Sequence, residues 1–277
     1  MVRQFKLQNA NGQTFDLMQR DAFFYTPDGL GFTMDSEFMQ IGGSYQLIET
    51  EAAQKTPAGI MVFSSYAKYQ EFVRFITPTP LKLMYKPLNE WAYLDCIVSR
   101  LSKAEIDYRD NKLKCNIDFQ GTSKWYIPRV AQRSGVETVN AKKYTYSYGY
   151  TYADSITGII NITNNSSEAS PTIITIMGEI TNPTWYLIVN GVTVQSGSVT
   201  DTIASGNKLV INSKDNALEI AEYTASNAFV RNLYQKSNFA LDNFIYAPVG
   251  QSTLRVTGGV GDTIDAWVEI QEIHETV

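Results

Sequence analysis

Imidazole, the side chain that most often moves protons near neutral pH, occurs once in this chain, at His274, three residues from the C-terminal Val277. Order is poorest at chain ends, so a satisfied or solvated tail histidine is expected there rather than a catalytic base. Ser-His-Asp and Cys-His mechanisms lose their usual base, and His-containing zinc sites lose their ligands. The two thiols, Cys96 and Cys115, are 19 residues apart, and no C-x-x-C pair occurs. If their segments form a hairpin turning near Arg109-Asp110-Asn111, antiparallel pairing sets Cys115 opposite about Glu105 and Cys96 opposite about Lys124. Two buried free thiols are expected, consistent with a reducing site of synthesis.

Carboxylate catalysis needs only two acidic side chains at a defined separation, but 28 Asp and Glu carry no local signature that singles out a pair. The densest group, Glu105, Asp107 and Asp110, surrounds Arg109 at a predicted turn, while Glu269 and Glu272 read as a solvated strand face. No G-K-[ST] phosphate loop is present, and Gly29-Leu30-Gly31 and Gly258-Gly259-Val260-Gly261 read as turns. The Asn-x-Ser/Thr matches at Asn161, Asn164 and Asn165 read as a strand end and a polar loop. No catalytic, cofactor-binding or metal-ligating set emerges. The most unusual local feature is Tyr144, Tyr146, Tyr148, Tyr150 and Tyr152, which at period 2 stack five phenols on one strand face. Structurally this is an inner or interdomain face. Functionally it is a platform for sugar or protein, and Tyr146, Tyr148, Tyr150 and Trp185 are the candidate partner or glycan contacts. Trp267 joins Trp185 in a glycan-binding reading.

The elements that carry these residues fall into two halves. With 277 residues and 44% hydrophobic side chains, the chain has material for two cores, at roughly 150 residues per domain. Charged residues make up only 18%, against about 25% in an ordinary soluble domain. Residues 1–135 hold 16 Lys and Arg against 14 Asp and Glu, or +2, whereas residues 136–277 hold 7 against 14, or -7. This fits two units with different surroundings and surface covered by partners, as it also fits a Thr/Ser/Asn-rich β surface. No basic footprint for nucleic acid appears, nor an apolar run near the roughly 18 residues that span a bilayer. The polar start, Met1-Val2-Arg3-Gln4-Phe5-Lys6, is unlike a secretory signal.

In the first half, Phe5 and Leu7, then Asn11-Gly12, then Phe15 and Leu17 read as a hairpin. Phe38, Gln40 and Gly42-Gly43 lead into another extended segment, and Gly59 to Phe63 is a short buried strand. Tyr66, Tyr69, Phe72, Val73 and Ile76 mark one face of a helix from Ser64 to Ile76, capped by Ser64 or Ser65 and stopped by Pro78. Leu81 to Tyr85, Trp91 to Leu101 and Lys112 to Phe119 read as strands, with a linker at 131–135. The second half reads as short strands from Ile156 to Ile270, with a strong hairpin signal at Asn190-Gly191. The fold class is therefore α+β over 1–135, an antiparallel sheet with one helix, followed by an all-β sandwich over 136–277.

Taken in order, Phe15-Asp16-Leu17, Gly29-Leu30-Gly31, Tyr66-x-x-Tyr69-x-x-Phe72-x-x-Phe75-Ile76, Leu81-Lys82-Leu83-Met84-Tyr85-Lys86-Pro87 and Trp125-Tyr126 resemble the distal tail proteins of bacteriophages with long, non-contractile tails. Pro171-Thr172-Ile173-Ile174, Gly178, Asn182-Pro183, Asn190-Gly191 and Pro248-Val249-Gly250 extend the resemblance through the second half. The resemblance implies a ring-forming N-terminal tail-hub domain and a galectin-like or carbohydrate-module-like C-terminal docking domain. It implies a non-enzymatic virion component made in the bacterial host cytoplasm, a hexameric ring at the tail tip or baseplate. Its implied partners are its own copies, the tail tube protein, and tail-tip, tail-fibre or receptor-binding proteins. DNA passes the lumen without specific binding, and no cofactor or membrane insertion is implied. The alternative reading is a protein that recognises host cell-wall glycans through the β-sandwich, and a third is a tail-associated hydrolase.

Overall fold

A computed structural model of the protein describes residues 3–107, 109, 111–132, 156–259 and 264–277. The chain forms two compact units, residues 1–127 with 273–277, and residues 128–272. Against the expected linker at 131–135, the division falls at Ile127/Pro128, and five C-terminal residues return to the first unit.

The first unit begins with strands β1 (Gln4–Gln8), β2 (Thr14–Asp16), β3 (Met18–Gln19) and β4 (Ala22–Asp28). Next come β5 (Met34–Ile41), β6 (Ser44–Ala52), β7 (Ala58–Phe63) and helix α1 (Tyr66–Ile76). Strands β8 (Leu81–Lys86), β9 (Ala92–Leu101), β10 (Ile106–Asp107), β11 (Lys112–Gly121) and β12 (Trp125–Gln132) follow. The antiparallel path runs β3-β4-β7-β11-β9-β8-β1-β2. Its two ends meet at Leu17, which donates to Phe5 O at 3.0 Å and accepts from Phe24 N at 2.8 Å. Alternation along the strands sends Phe5, Leu7, Phe24, Met61, Phe63, Leu81, Leu83 and Leu94 into one core.

Helix α1 starts where Ser65 Oγ accepts from Lys68 N at 3.2 Å, the cap expected from the sequence. Phe72 is its fully buried residue, with its ring centroid 5.1 Å from Phe15 and 5.5 Å from Phe63. Both thiols are buried and free as expected, but their register differs. Cys96 lies opposite Gly121 and Cys115 opposite Met61. A bulge between Asp118 and Phe119 and the short strand β10 move the pairing away from a simple two-strand count.

The expectation for the C-terminal histidine needs correction. His274 is not a loose tail residue: it ends the last strand, and its Nε2 is buried without a hydrogen-bond partner. One residue on, Glu275 ties the returning segment down, 3.2 Å from Lys55 Nζ and 3.0 Å from Lys124 Nζ.

The second unit contains β13 (Ile156–Asn164), β14 (Ser170–Met177), β15 (Ile180–Val189), β16 (Val192–Ser198), β17 (Thr202–Ile203) and β18 (Asn207–Asn212). It continues with β19 (Glu219–Thr224), β20 (Phe229–Asn232), a 3-10 turn at Tyr234–Lys236, β21 (Tyr246–Ala247), β22 (Gly250–Gly259) and β23 (Ala266–His274). Asn190 and Gly191 adopt φ of 50° and 80°, the left-handed pair that a two-residue hairpin requires. One antiparallel sheet runs β13-β22-β15-β16, and another contains β20-β19-β18-β14-β23. Ile160, Trp185, Leu187 and Leu254 from the first sheet share a core with Ile174, Leu209, Ile211 and Val268 from the second.

Glu272 is not on a solvated face. It is 1% exposed and accepts from Arg129 Nε at 3.0 Å, Asn165 N at 3.0 Å and Asn165 Nδ2 at 3.1 Å. Those bonds satisfy a carboxylate that burial alone would penalise.

Candidate interaction surface

Between β4 and β7 the chain leaves the closed sheet and builds a separate two-stranded hairpin from β5 and β6. Gly29 makes the departure possible. Its φ is +71°, and a Cβ there would meet Thr56 O, on the segment that leads back into β7, at 2.5 Å. The tip is Gly42-Gly43, with Gly42 at φ +60°. Ile41 pairs with Ser44, Gln40 with Tyr45, Met39 with Gln46 and Phe38 with Leu47. A bulge then absorbs Ile48, and Glu37 pairs with Glu49, Ser36 with Thr50, Asp35 with Glu51 and Met34 with Ala52.

Because cross-strand partners share a face, this register sorts the side chains. One face carries Met34, Ser36, Phe38, Gln40, Tyr45, Leu47 and Thr50, and has no charge. The other carries Asp35, Glu37, Glu49 and Glu51 near the base, and Met39 and Ile41 near the tip. Every residue of β5 and all but the last of β6 are exposed. Phe38 is 57% exposed, Tyr45 71% and Leu47 49%. An isolated two-stranded hairpin is at best marginally stable in water, and contiguous exposed apolar side chains mark interaction sites.

The predicted contact residues do not form this surface. Tyr146, Tyr148 and Tyr150 lie outside the described residues. Trp185 is fully buried, its Nε1 donating to Asn243 O at 3.0 Å and its ring lying against Gly197, so it has no surface to offer a partner. Trp267 is half-buried on β23. At the predicted acidic turn, Asp107 accepts from Arg109 N at 2.9 Å and pairs with Lys114 at 3.3 Å. Those bonds hold its carboxyl below the usual range. Glu105 accepts from Tyr66 OH at 2.6 Å, and Asp110 lies outside the described residues. These contacts fix a turn and bring no pair of carboxylates together on a cleft. Among the described residues no group of three or more His, Cys, Asp or Glu is arranged to hold a metal ion, and no helix is long and apolar enough to cross a membrane.

Sequence reading missed the hairpin as a free-standing element. The signal was present in Gly42-Gly43 flanked by Phe38, Met39, Ile41, Tyr45, Leu47 and Ile48, since apolar residues occur on both sides of each strand without one buried stripe.

Residues 4–122 match the family model described as the distal tail protein, N-terminal domain. This segment is a distal tail protein N-terminal domain. The matched segment takes in the closed sheet, helix α1 and the entire exposed hairpin. Among solved structures, a chain of the phage P2 baseplate in its activated conformation with Ca is similar over 100% of both chains, with a TM-score of 0.71 and 16% identity. The SPP1 Dit protein, titled a paradigm of the hub adsorption apparatus in phages infecting Gram-positive bacteria, is similar over 97% of this chain and 98% of its own, with a TM-score of 0.64 and 9% identity. Both likenesses extend through the second unit, where they show the fold. Among curated proteins none matches the sequence.

Proposed function

We propose that this protein is a structural hub of a phage tail tip or baseplate, in which six copies close into a ring through the 1–135 domain. The observation that carries the reading is the β5–β6 hairpin, exposed on both faces and rich in large apolar side chains within the distal tail domain. Laid on a neighbouring copy, it buries the exposed parts of Phe38, Tyr45 and Leu47, each contributing on the order of 1 kcal/mol. The contact is heterologous, with the hairpin of one copy meeting a different surface of the next, and such contacts close rings.

In this reading the ring joins the tail tube protein to tail-tip, tail-fibre or receptor-binding proteins, and DNA passes the lumen without specific binding. The 136–277 domain, a galectin-like or carbohydrate-module-like sandwich, is the docking platform on the outside. The protein acts by geometry rather than catalysis, as part of the virion assembled in the host cytoplasm. Host-glycan recognition by the outer domain is the alternative, and it is compatible with the hub. Negative-stain images of the purified protein, or of the protein mixed with its tail-tube and tail-tip neighbours, are expected to show six-fold rings. Monomers alone in both preparations would sink the proposal.

A further inference from the structure

Of the glycan contacts predicted from sequence, Trp185 is buried, Trp267 is half-buried and Tyr146, Tyr148 and Tyr150 lie outside the described residues, yet the second unit has an open pocket elsewhere. It is lined by Leu218, Glu219, Asn232, Tyr234, Gln235 and Phe244. Its volume of about 560 Å³ lies within the roughly 300–1,000 Å³ usual for small-ligand sites. The pocket belongs to the end of the β20-β19 edge: Glu219 opens β19, Asn232 closes β20 and Tyr234 begins the 3-10 turn that follows.

The turn is firmly held. Leu233, 1% exposed, anchors it in the core and its N donates to Ile220 O at 2.8 Å. Ser237 donates to Tyr234 O from N at 3.1 Å and from Oγ at 2.6 Å. Thr200 N donates to Lys236 O at 2.9 Å. On this base the rings of Tyr234 and Phe244 lie nearly parallel, 19° apart with centroids 6.2 Å apart, and Phe239 meets Tyr234 edge-on at 5.4 Å. Tyr234 remains 44% exposed and Phe239 65%. Phe244 packs against the core and fixes the wall, while Tyr234 and Phe239 present their rings to solvent.

The polar lining completes the chemistry. Asn232 uses Oδ1 to accept from Tyr234 N at 2.8 Å, which leaves the Nδ2 donor of its amide. Glu219 accepts from Tyr223 OH through Oε1 at 2.8 Å, which leaves Oε2 as an acceptor. Gln235 supplies both functions, and no Lys or Arg lines the pocket, so a phosphate or carboxylate meets only the negative charge of Glu219. Aromatic faces attract the weakly positive C–H edge of a ligand, while adjacent donors and acceptors suit hydroxyl groups that are both. A pyranose ring has both features and needs no cation.

We propose that this pocket is a binding site for an uncharged hexopyranose, stacked on Tyr234 with its hydroxyls on Asn232, Gln235 and Glu219. The inference deepens the glycan-recognition alternative for the outer domain and draws on the second unit alone. A failed sugar titration leaves the ring proposal untouched, and a monomeric protein leaves this one untouched.

The test is saturation-transfer NMR on the full chain with glucose, galactose, rhamnose and N-acetylglucosamine, followed by titration of any sugar that responds. Saturation of the sugar's C–H protons and a Kd on the order of millimolar are expected for one small stacked ring. Tyr234→Ala should weaken binding by about tenfold while Tyr234→Phe keeps most of it. Gln235→Ala, at an exposed position with little to lose in folding, should weaken it by about threefold. The proposal is overturned if none of the four sugars receives saturation, or if Tyr234→Ala and Gln235→Ala both leave binding unchanged. It is equally overturned if an aromatic peptide occupies the pocket and no sugar does, which would make the site a protein dock.

Discussion

Asp35 and Glu51 stand directly opposite one another across the β5–β6 hairpin, and Glu37 and Glu49 repeat the arrangement nearer the tip. Like charges on facing strands oppose pairing by a few tenths to about 1 kcal/mol each, in an element that is already marginal alone. A hairpin tuned only for its own stability would not place four carboxylates on one face. A surface that is completed by a partner carrying cations can.

The first prediction follows from that face. Asp35→Asn with Glu51→Gln should slow amide hydrogen exchange in the isolated hairpin, by about two- to fivefold, because the repulsion is removed. The same pair of changes should weaken self-association at low salt and make it less sensitive to salt, as measured by static light scattering across an ionic-strength series. Unchanged association at every salt concentration would show that the acidic face is not part of the contact.

Glu222 gives a pH prediction. It is 2% exposed and accepts from Asn207 Nδ2 at 2.7 Å, Arg231 Nε at 2.6 Å and Ala204 N at 3.3 Å. Burial pushes its carboxyl up, but the Asn207, Arg231 and backbone bonds outweigh burial and hold it below its ordinary value of 4.5. A depressed carboxyl adds stability above that ordinary value and loses it as pH falls through the lower folded value. Glu222→Gln should therefore cost about 1–3 kcal/mol at neutral pH and flatten the acid limb of the stability curve below pH 4.5. Chemical denaturation as a function of pH reads both effects.

The returning C-terminal segment gives another. Lys55 is 3% exposed, and its ion-pair partner is Glu275, which also holds Lys124. Glu275→Ala strands the Lys55 ammonium in a buried position and should destabilise the first unit by about 3 kcal/mol. Differential scanning calorimetry should show a lowered transition, and a transition unmoved by Glu275→Ala would remove the segment's anchoring role.

Gly197 and Trp185 pair across β15 and β16, and a Cβ at Gly197 would run into the indole ring. Trp185 is fully buried and its Nε1 is already committed to Asn243 O. Gly197→Ala should therefore cost about 1–3 kcal/mol through displaced indole packing, measured by urea unfolding.

These residues also show what was legible in the sequence. Period-2 alternation at Phe5, Leu7, Phe15 and Leu17, the helical face led by Phe72, and Asn190-Gly191 each reflect short-range rules, and each element forms as expected. Trp185, His274 and Glu272 were misplaced for a common reason. A residue's depth depends on which distant strand covers it, and Asn243, Arg129 and Asn165 are not neighbours in sequence. The hairpin was hard to recognise because its apolar residues occupy both sides of each strand, a pattern whose covering partner is not in the same domain core. The Tyr234 pocket draws on residues from Leu218 to Phe244 that converge only after β19, β20 and the 3-10 turn have folded.

The most direct test of the hub is the mass of the assembly with and without the hairpin's apolar face. Light scattering on the purified protein, alone and with its tail neighbours, should report six copies of 31.1 kDa, about 187 kDa for the ring itself. Phe38→Ser with Leu47→Ser should return it to a folded monomer whose thermal unfolding is nearly unchanged, because both side chains are exposed in the single chain. A wild-type protein that stays at 31.1 kDa under all these conditions, or a ring that persists intact in the double variant, would contradict the account.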